Sequence, residues 1–151
     1  LKRKNKVPNF YLDMQQIIQY LGGEQRTYHH TAPINSMYAI YQGLYDLENE
    51  GLDNVINRHL EVHKILVKGL KELGIEMLVD KEYRLPSLNA VRIPEEVDDL
   101  QIRKILIDKY SIEIGGGFGP LAGKIWRIGL MGYSAKESNV YKLLDVLNKL
   151  F

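Results

Sequence analysis

The sequence predicts an α+β fold, a mostly antiparallel sheet with helices on one face, and three observations carry that expectation. Apolar residues recur at helical spacing in five stretches, they alternate at strand spacing in segments between them, and successive strands are joined by short links. Short links favour antiparallel pairing, because a parallel return needs a crossover of about a dozen residues or more.

From Phe10 the apolar positions 10, 14, 17, 18 and 21 keep helical spacing until Gly22 and Gly23 stop them. Glu24 to Pro33 reads as irregular, since EQRTYHHTAP clusters polar residues and closes on proline. A second helix follows, capped by Asn35 or Ser36, with Met37, Ile40, Tyr41, Leu44 and Leu47 as its stripe up to Gly51. The third helix is the longest: Leu52, Val55, Ile56, His59, His63, Leu66, Leu70 and Leu73 line one side, and Gly74 ends it.

Past Gly74 the period becomes strand-like. Ile75, Met77 and Val79 alternate, and a polar loop leads to a second strand at Leu88 to Ile93, closed by Pro94. A helix is expected over about Val97 to Tyr110, then a short strand SIEI, a glycine-rich turn GGGFGPLAG and a longer strand KIWRIGLM. Ser134 and Glu137 have the spacing of a capping box ahead of a last helix with Val140, Leu143, Leu144, Leu147 and Phe151. Residues 46–151 therefore read as one small domain, and 1–45 as the edge of a preceding domain plus a bridging helix.

Composition excludes several functions. With 20 Lys and Arg against 19 Asp and Glu, the formal charge of +1 supplies no global field for nucleic acid or an anionic membrane. The basic run Lys2, Arg3, Lys4, Lys6 has no interleaved aromatics and reads as a solvated lead-in. No apolar run approaches the roughly 20 residues that span a bilayer. Without cysteine there is no disulfide scaffold, thiolate nucleophile or Cys-ligated zinc, so an intracellular, by default cytoplasmic, protein is expected. The chain opens at Leu1 rather than Met, which reads as a piece of a longer protein.

Candidate chemistry is sparse. His59 and His63 lie one turn apart, yet Glu61 points about 200° around the helix from His59 and no third ligand is evident, so packing histidines are expected and no metal site. The glycine turn matches a loose G-x-G-x-x-A from Gly117 to Ala122, but it runs into a strand where a dinucleotide loop must open a helix. It is either a backbone that approaches a ligand closely or a plain wide turn. Arg127 shares a strand face with Ile125 and Gly129 and needs a carboxylate for its fork, from a substrate or from Glu113 or an Asp of the same chain. Tyr28, His29, His30 and Thr31 place hydroxyls and imidazoles just before a helix, a setting for anion contacts or an ordinary loop. Lys136, at an exposed helix start, reads as a solvated lysine.

The segments FYLDM, TYHHTAPINSMYAIYQGL, RLPSLNAV, SIEIGGGFGPLAGKIWRIGLMGYSA and ESNVYKLLDVL, in this order, resemble the C-terminal part of the class V pyridoxal-phosphate aminotransferases, in particular the alanine:glyoxylate and serine:pyruvate branch. The resemblance runs from about Phe10 to Phe151. It implies a fold-type I homodimer, α/β as a whole, whose C-terminal domain closes over small amino acids and 2-oxo acids. It further implies that Tyr28 and Thr31 reach the cofactor phosphate of the neighbouring subunit, that Arg127 binds the substrate carboxylate and that Gly117 lines the substrate pocket. In that family the cofactor-bearing lysine, the acidic partner of the pyridine nitrogen and the stacking aromatic all precede the matched region. The resemblance thus implies no catalytic residue in these 151 and an inactive fragment. The donor could also be an aromatic amino acid or an aminophosphonate, and the compartment peroxisomal or mitochondrial. A different class of reading is a stand-alone, non-catalytic carboxylate-binding or dimerisation domain.

Overall fold

The computed structural model of the chain describes residues 4–22 and 28–151. Lys2 and Arg3 of the basic lead-in, and residues 23–27 of the glycine stop and the irregular stretch, lie outside the described residues. The chain divides into two compact units, residues 1–46 and 47–151. No helix among the described residues is long and apolar enough to cross a membrane.

The first unit holds α1 (Met14–Gly22) and most of α2 (Ile34–Glu50). Asp13 starts α1 by accepting the Gln15 amide at 3.0 Å, which satisfies one of the free N–H groups of the first turn. Helix α2 begins earlier than its polar residues suggest. The Met37 amide bonds the Pro33 carbonyl at 3.0 Å, so Asn35 and Ser36 sit inside the first turn rather than at the cap. Neither helix has a buried residue, and Met14, Ile18 and Leu21 of α1 and Met37, Tyr38, Ile40, Tyr41 and Leu44 of α2 are all exposed.

The second unit is a three-stranded antiparallel sheet with helices packed on one face. Its elements are α3 (Leu52–Glu72), β1 (Leu88–Arg92), α4 (Asp99–Tyr110), β2 (Gly115–Gly116), β3 (Ile125–Gly129) and α5 (Glu137–Leu150). The strand order is β1-β3-β2, with β3 in the centre. Val91 pairs with Trp126 and Asn89 with Ile128, which puts these four side chains on the core face. There they meet Val62, Leu66 and Leu70 of α3, Ile102 and Leu106 of α4, and Val140, Leu143 and Leu147 of α5. Arg127 alternates to the opposite face.

Three local expectations are corrected. The strand at 75–79 shrinks to a single bridge, Met77 to Val91, because Arg84 Nε takes the Val79 carbonyl at 2.7 Å and the chain turns away. The strand expected at SIEI forms instead at Gly115–Gly116. Ser111 adopts left-handed angles (φ 54°) at the end of α4, and the amides of Ser111 and Ile112 close that helix onto Ile107 and Leu106, so they are lost to the sheet. The capping box is absent: Glu137 is the first residue of α5, and Ser134 lies in a 3-10 turn where its carbonyl accepts from Asn139 Nδ2. In this unit a side-chain cap forms instead at Asp98, which accepts the Gln101 amide at 2.9 Å ahead of α4.

The end of β3 is fastened to α3. Arg58 donates to both Glu50 oxygens, to the Gly132 carbonyl at 2.9 Å and to the Ala135 carbonyl at 2.8 Å. The neighbouring His59 accepts the Gly132 amide at its Nε2 while its Nδ1 donates to the Val55 carbonyl, which fixes the neutral Nδ1–H tautomer.

Candidate functional site

Arg127 and Gly117 belong to the second unit, and Tyr28 and Thr31 to the first. Arg127 stands on the central strand opposite Gly115, with which it is in register. Its Nε donates to the Gly116 carbonyl at 2.7 Å, and its guanidinium carbon lies 4.1 Å from the centroid of the Phe118 ring. Among the described residues no carboxylate comes within 4.0 Å of it, and neither Nη group donates a hydrogen bond. The ion pair with Glu113 or an Asp of the chain is therefore not what holds this arginine. A backbone carbonyl bonds its Nε and an aromatic face lies beside its Cζ, and among the described residues the two-nitrogen edge that matches a carboxylate stays unclaimed.

The glycine run makes this possible through space. A Cβ on Gly115 would lie 3.0 Å from Arg127 Nη2, and one on Gly116 would lie 3.4 Å from Arg103 Cζ. Successive residues of a strand face opposite sides, so each glycine leaves room for a different arginine. The charges of the two arginines are handled differently. Arg103 forms a forked pair with Asp99, Nε to Oδ1 at 2.7 Å and Nη2 to Oδ2 at 3.2 Å, and the buried Trp126 indole donates to the same Asp99 Oδ1 at 2.9 Å. Arg103, and next to it the indole, hold the Asp99 carboxyl below its ordinary range against the opposing effect of desolvation. Arg127 has no such partner in its unit.

Gly117 is short of space in a stricter sense. A Cβ there would fall 2.0 Å from the Leu121 carbonyl oxygen and 2.9 Å from Ile125 Cγ1, since the 3-10 turn Gly119–Leu121 folds back over the strand. At Gly117 the loop is thus a close approach of backbone to backbone rather than an open turn.

In the first unit the Tyr28 hydroxyl and Thr31 Oγ1 are 2.7 Å apart, and both residues are exposed. The segment is held from Phe10 and Tyr11. His29 is buried, stacks on the Phe10 ring (centroids 4.2 Å apart) and gives its Nε2 proton to the Phe10 carbonyl at 3.0 Å. A neutral His29 then has only an acceptor at Nδ1, so the 2.6 Å contact with His30 Nδ1 has His30 as donor. His30 packs on Tyr11 in turn, centroids 4.7 Å apart. Both histidines are thereby oriented inward, and the two hydroxyls are the groups presented outward.

The remaining candidates are structural. His63 donates from Nδ1 to Oδ1 of the buried Asn89, and among the described residues no group of three or more His, Asp or Glu could hold a metal. Lys136 lies over the exposed Tyr133 ring at 3.3 Å, as a surface lysine does. Sequence reasoning missed Phe118, Asp99 and Arg58. The signal available for Phe118 was an aromatic one residue past the glycine run, nine before Arg127.

No family model matches the chain. The alanine–glyoxylate aminotransferase of Drosophila melanogaster is 40% identical over 151 residues, 98% of this chain and 38% of that protein. The (S)-ureidoglycine–glyoxylate transaminase of Bacillus subtilis is 36% identical over 144 residues, 95% of this chain and 34% of its own length. Among solved structures, the alanine–glyoxylate aminotransferase from Nostoc sp. superposes with a TM-score of 0.89 at 44% identity, covering 99% of this chain and 39% of that one. The chain thus spans well under half the length of the relatives it matches.

Proposed function

We propose that the chain belongs with these relatives to the class V aminotransferases, as part of a pyridoxal-phosphate transaminase moving an amino group from alanine or serine to glyoxylate or pyruvate. Glyoxylate is the acceptor in the names of the fly, Bacillus and Nostoc proteins, and alanine the donor in two of them. The observation that carries the reading for this chain is the unclaimed Nη edge of Arg127, fixed on a sheet face by the Gly116 carbonyl. Such a fork binds the α-carboxylate shared by amino acid and 2-oxo acid, and so holds both substrates of the two half-reactions in one pose.

The hydroxyls of Tyr28 and Thr31 fit a phosphate group: they are hydrogen-bonded to each other at 2.7 Å, which leaves one hydroxyl proton free to donate outward, and among the described residues no carboxylate is bonded to either. In a homodimer they would hold the cofactor phosphate of the neighbouring subunit. The cofactor, when bound, supplies the electron sink that lets a proton leave the amino acid's α-carbon. Arg127 orients the substrate for that step, and Gly117 belongs to the pocket wall.

In the full-length enzyme, Arg127→Lys is expected to raise KM for amino acid and 2-oxo acid together by about 10- to 100-fold, because a point charge replaces a planar fork. Cofactor affinity should not move. Unchanged kinetics with both substrates would remove Arg127 from the site. Tyr28→Phe should do the converse: cofactor loss on dialysis several times faster, read from the cofactor's absorbance, with KM little changed.

A further inference from the structure

We propose that Phe118 is a positioning residue that sets the angle of the Arg127 guanidinium, so that only its Nη edge meets the substrate carboxylate; the proposal rests on the carboxylate role given to Arg127 above. The guanidinium of Arg127 lies beside a neighbouring strand, β2, of only two glycines, which offer it no side chain to rest on. The Gly116 carbonyl fixes Nε alone, a single bond about which the plane can still swing. The Phe118 ring, 4.1 Å from Cζ, supplies the second constraint, since a cation is drawn to the ring face.

Phe118 is itself well placed to impose this. Its backbone is extended (φ −121°) and its carbonyl accepts the Leu121 amide at 3.0 Å, which ties it to the 3-10 turn that packs over Ile125. Phe118 as a residue is nonetheless 72% exposed, so burial of apolar area does not account for its position. Gly115 leaves the space that the guanidinium takes: a Cβ there would stand 3.0 Å from Nη2. Ring and carbonyl together define one orientation of the fork, in the space that Gly115 leaves open.

The test uses the full-length enzyme and two readouts, steady-state kinetics and competitive inhibition by propanoate, a carboxylate that binds without reacting. Phe118→Leu is expected to raise both the propanoate inhibition constant and the substrate KM by about 3- to 10-fold, more than kcat falls, and Phe118→Tyr to restore them. Gly115→Ala, whose methyl would stand 3.0 Å from Nη2 and crowd it, should raise the same two quantities. If Phe118→Leu and Gly115→Ala leave propanoate binding unchanged while Arg127→Lys weakens it, the positioning role is overturned and the carboxylate role stands. If Phe118→Leu lowers kcat with KM and propanoate binding intact, the proposal is likewise overturned. If Arg127→Lys also has no effect on propanoate, the carboxylate reading fails and takes this proposal with it.

Discussion

Gly117→Ala is expected to destabilise the second unit by about 3 kcal/mol, the upper end of what overpacking a tight site costs, and to weaken carboxylate binding at the same time. The added methyl would meet backbone rather than a flexible side-chain end: the Leu121 oxygen at 2.0 Å and its carbonyl carbon at 2.6 Å. Relief requires the Gly119–Leu121 turn to lift from Ile125 or β2 to slide along β3. The first displaces Phe118 and the second the Gly116 carbonyl, which are the two groups that orient Arg127. Stability read by denaturant and binding read by propanoate inhibition should therefore fall together. An alanine variant that kept both would show the loop to be pliant and the close approach incidental. The φ of Gly117 is not positive, so the demand here is for space and not for a left-handed backbone.

Asp99→Ala should cost about 2–4 kcal/mol. It removes the forked partner of Arg103 and leaves the indole N–H of Trp126, a fully buried side chain, without its acceptor. Asp99→Asn keeps a carbonyl oxygen for the indole and should lose less. The two also differ with pH. Because Arg103 and then Trp126 depress the native pKa of Asp99, its contribution is complete above its ordinary value near 4 and is lost as pH falls through the lower native value. Wild type should thus shed stability on acidification below about pH 4 that the Asn variant never had. Denaturation followed by the fluorescence of Trp126, the single tryptophan of the chain, measures this directly. Equal midpoints for wild type and the alanine variant at neutral pH would show that the indole finds another acceptor.

What the sequence made legible is what periodicity encodes. Leu66 and Leu70 of the third stripe and Val140, Leu143 and Leu147 of the last became buried helix faces, joined by Val62, which the stripe as read did not include, and the alternation through Trp126, Arg127 and Ile128 became a strand with its arginine turned off the core. Misreadings fell where an amide had two possible partners. Ser111 and Ile112 have strand-like neighbours, but their N–H groups were needed to end α4, and the ladder began three residues later at Gly115. Ser134 and Glu137 have capping-box spacing, yet a helix that starts at Glu137 places neither at its proper position. The polar contacts that organise the unit join residues far apart in the chain: Asp99 to Trp126, His63 to Asn89, Arg58 to Gly132 and Ala135. No spacing rule encodes such pairs. Arg127 could be singled out as an arginine beside a glycine on a strand, but its actual partner is a backbone carbonyl, which is the same for any residue.

The strand order has a kinetic meaning. As the middle strand, β3 is hydrogen-bonded along both edges, whereas β2 contributes only two residues and the Gly119–Leu121 turn has no sheet neighbour. Amides opened only by disruption of a whole sheet exchange slowest with solvent deuterium, and those of short edges and turns exchange in local fluctuations. Arg127 is therefore rooted in the slowest-opening part of the unit while Phe118 rides on one of the fastest. On the role proposed for Arg127, breathing of the loop would admit and release a small carboxylate without loosening the strand that carries the anchor.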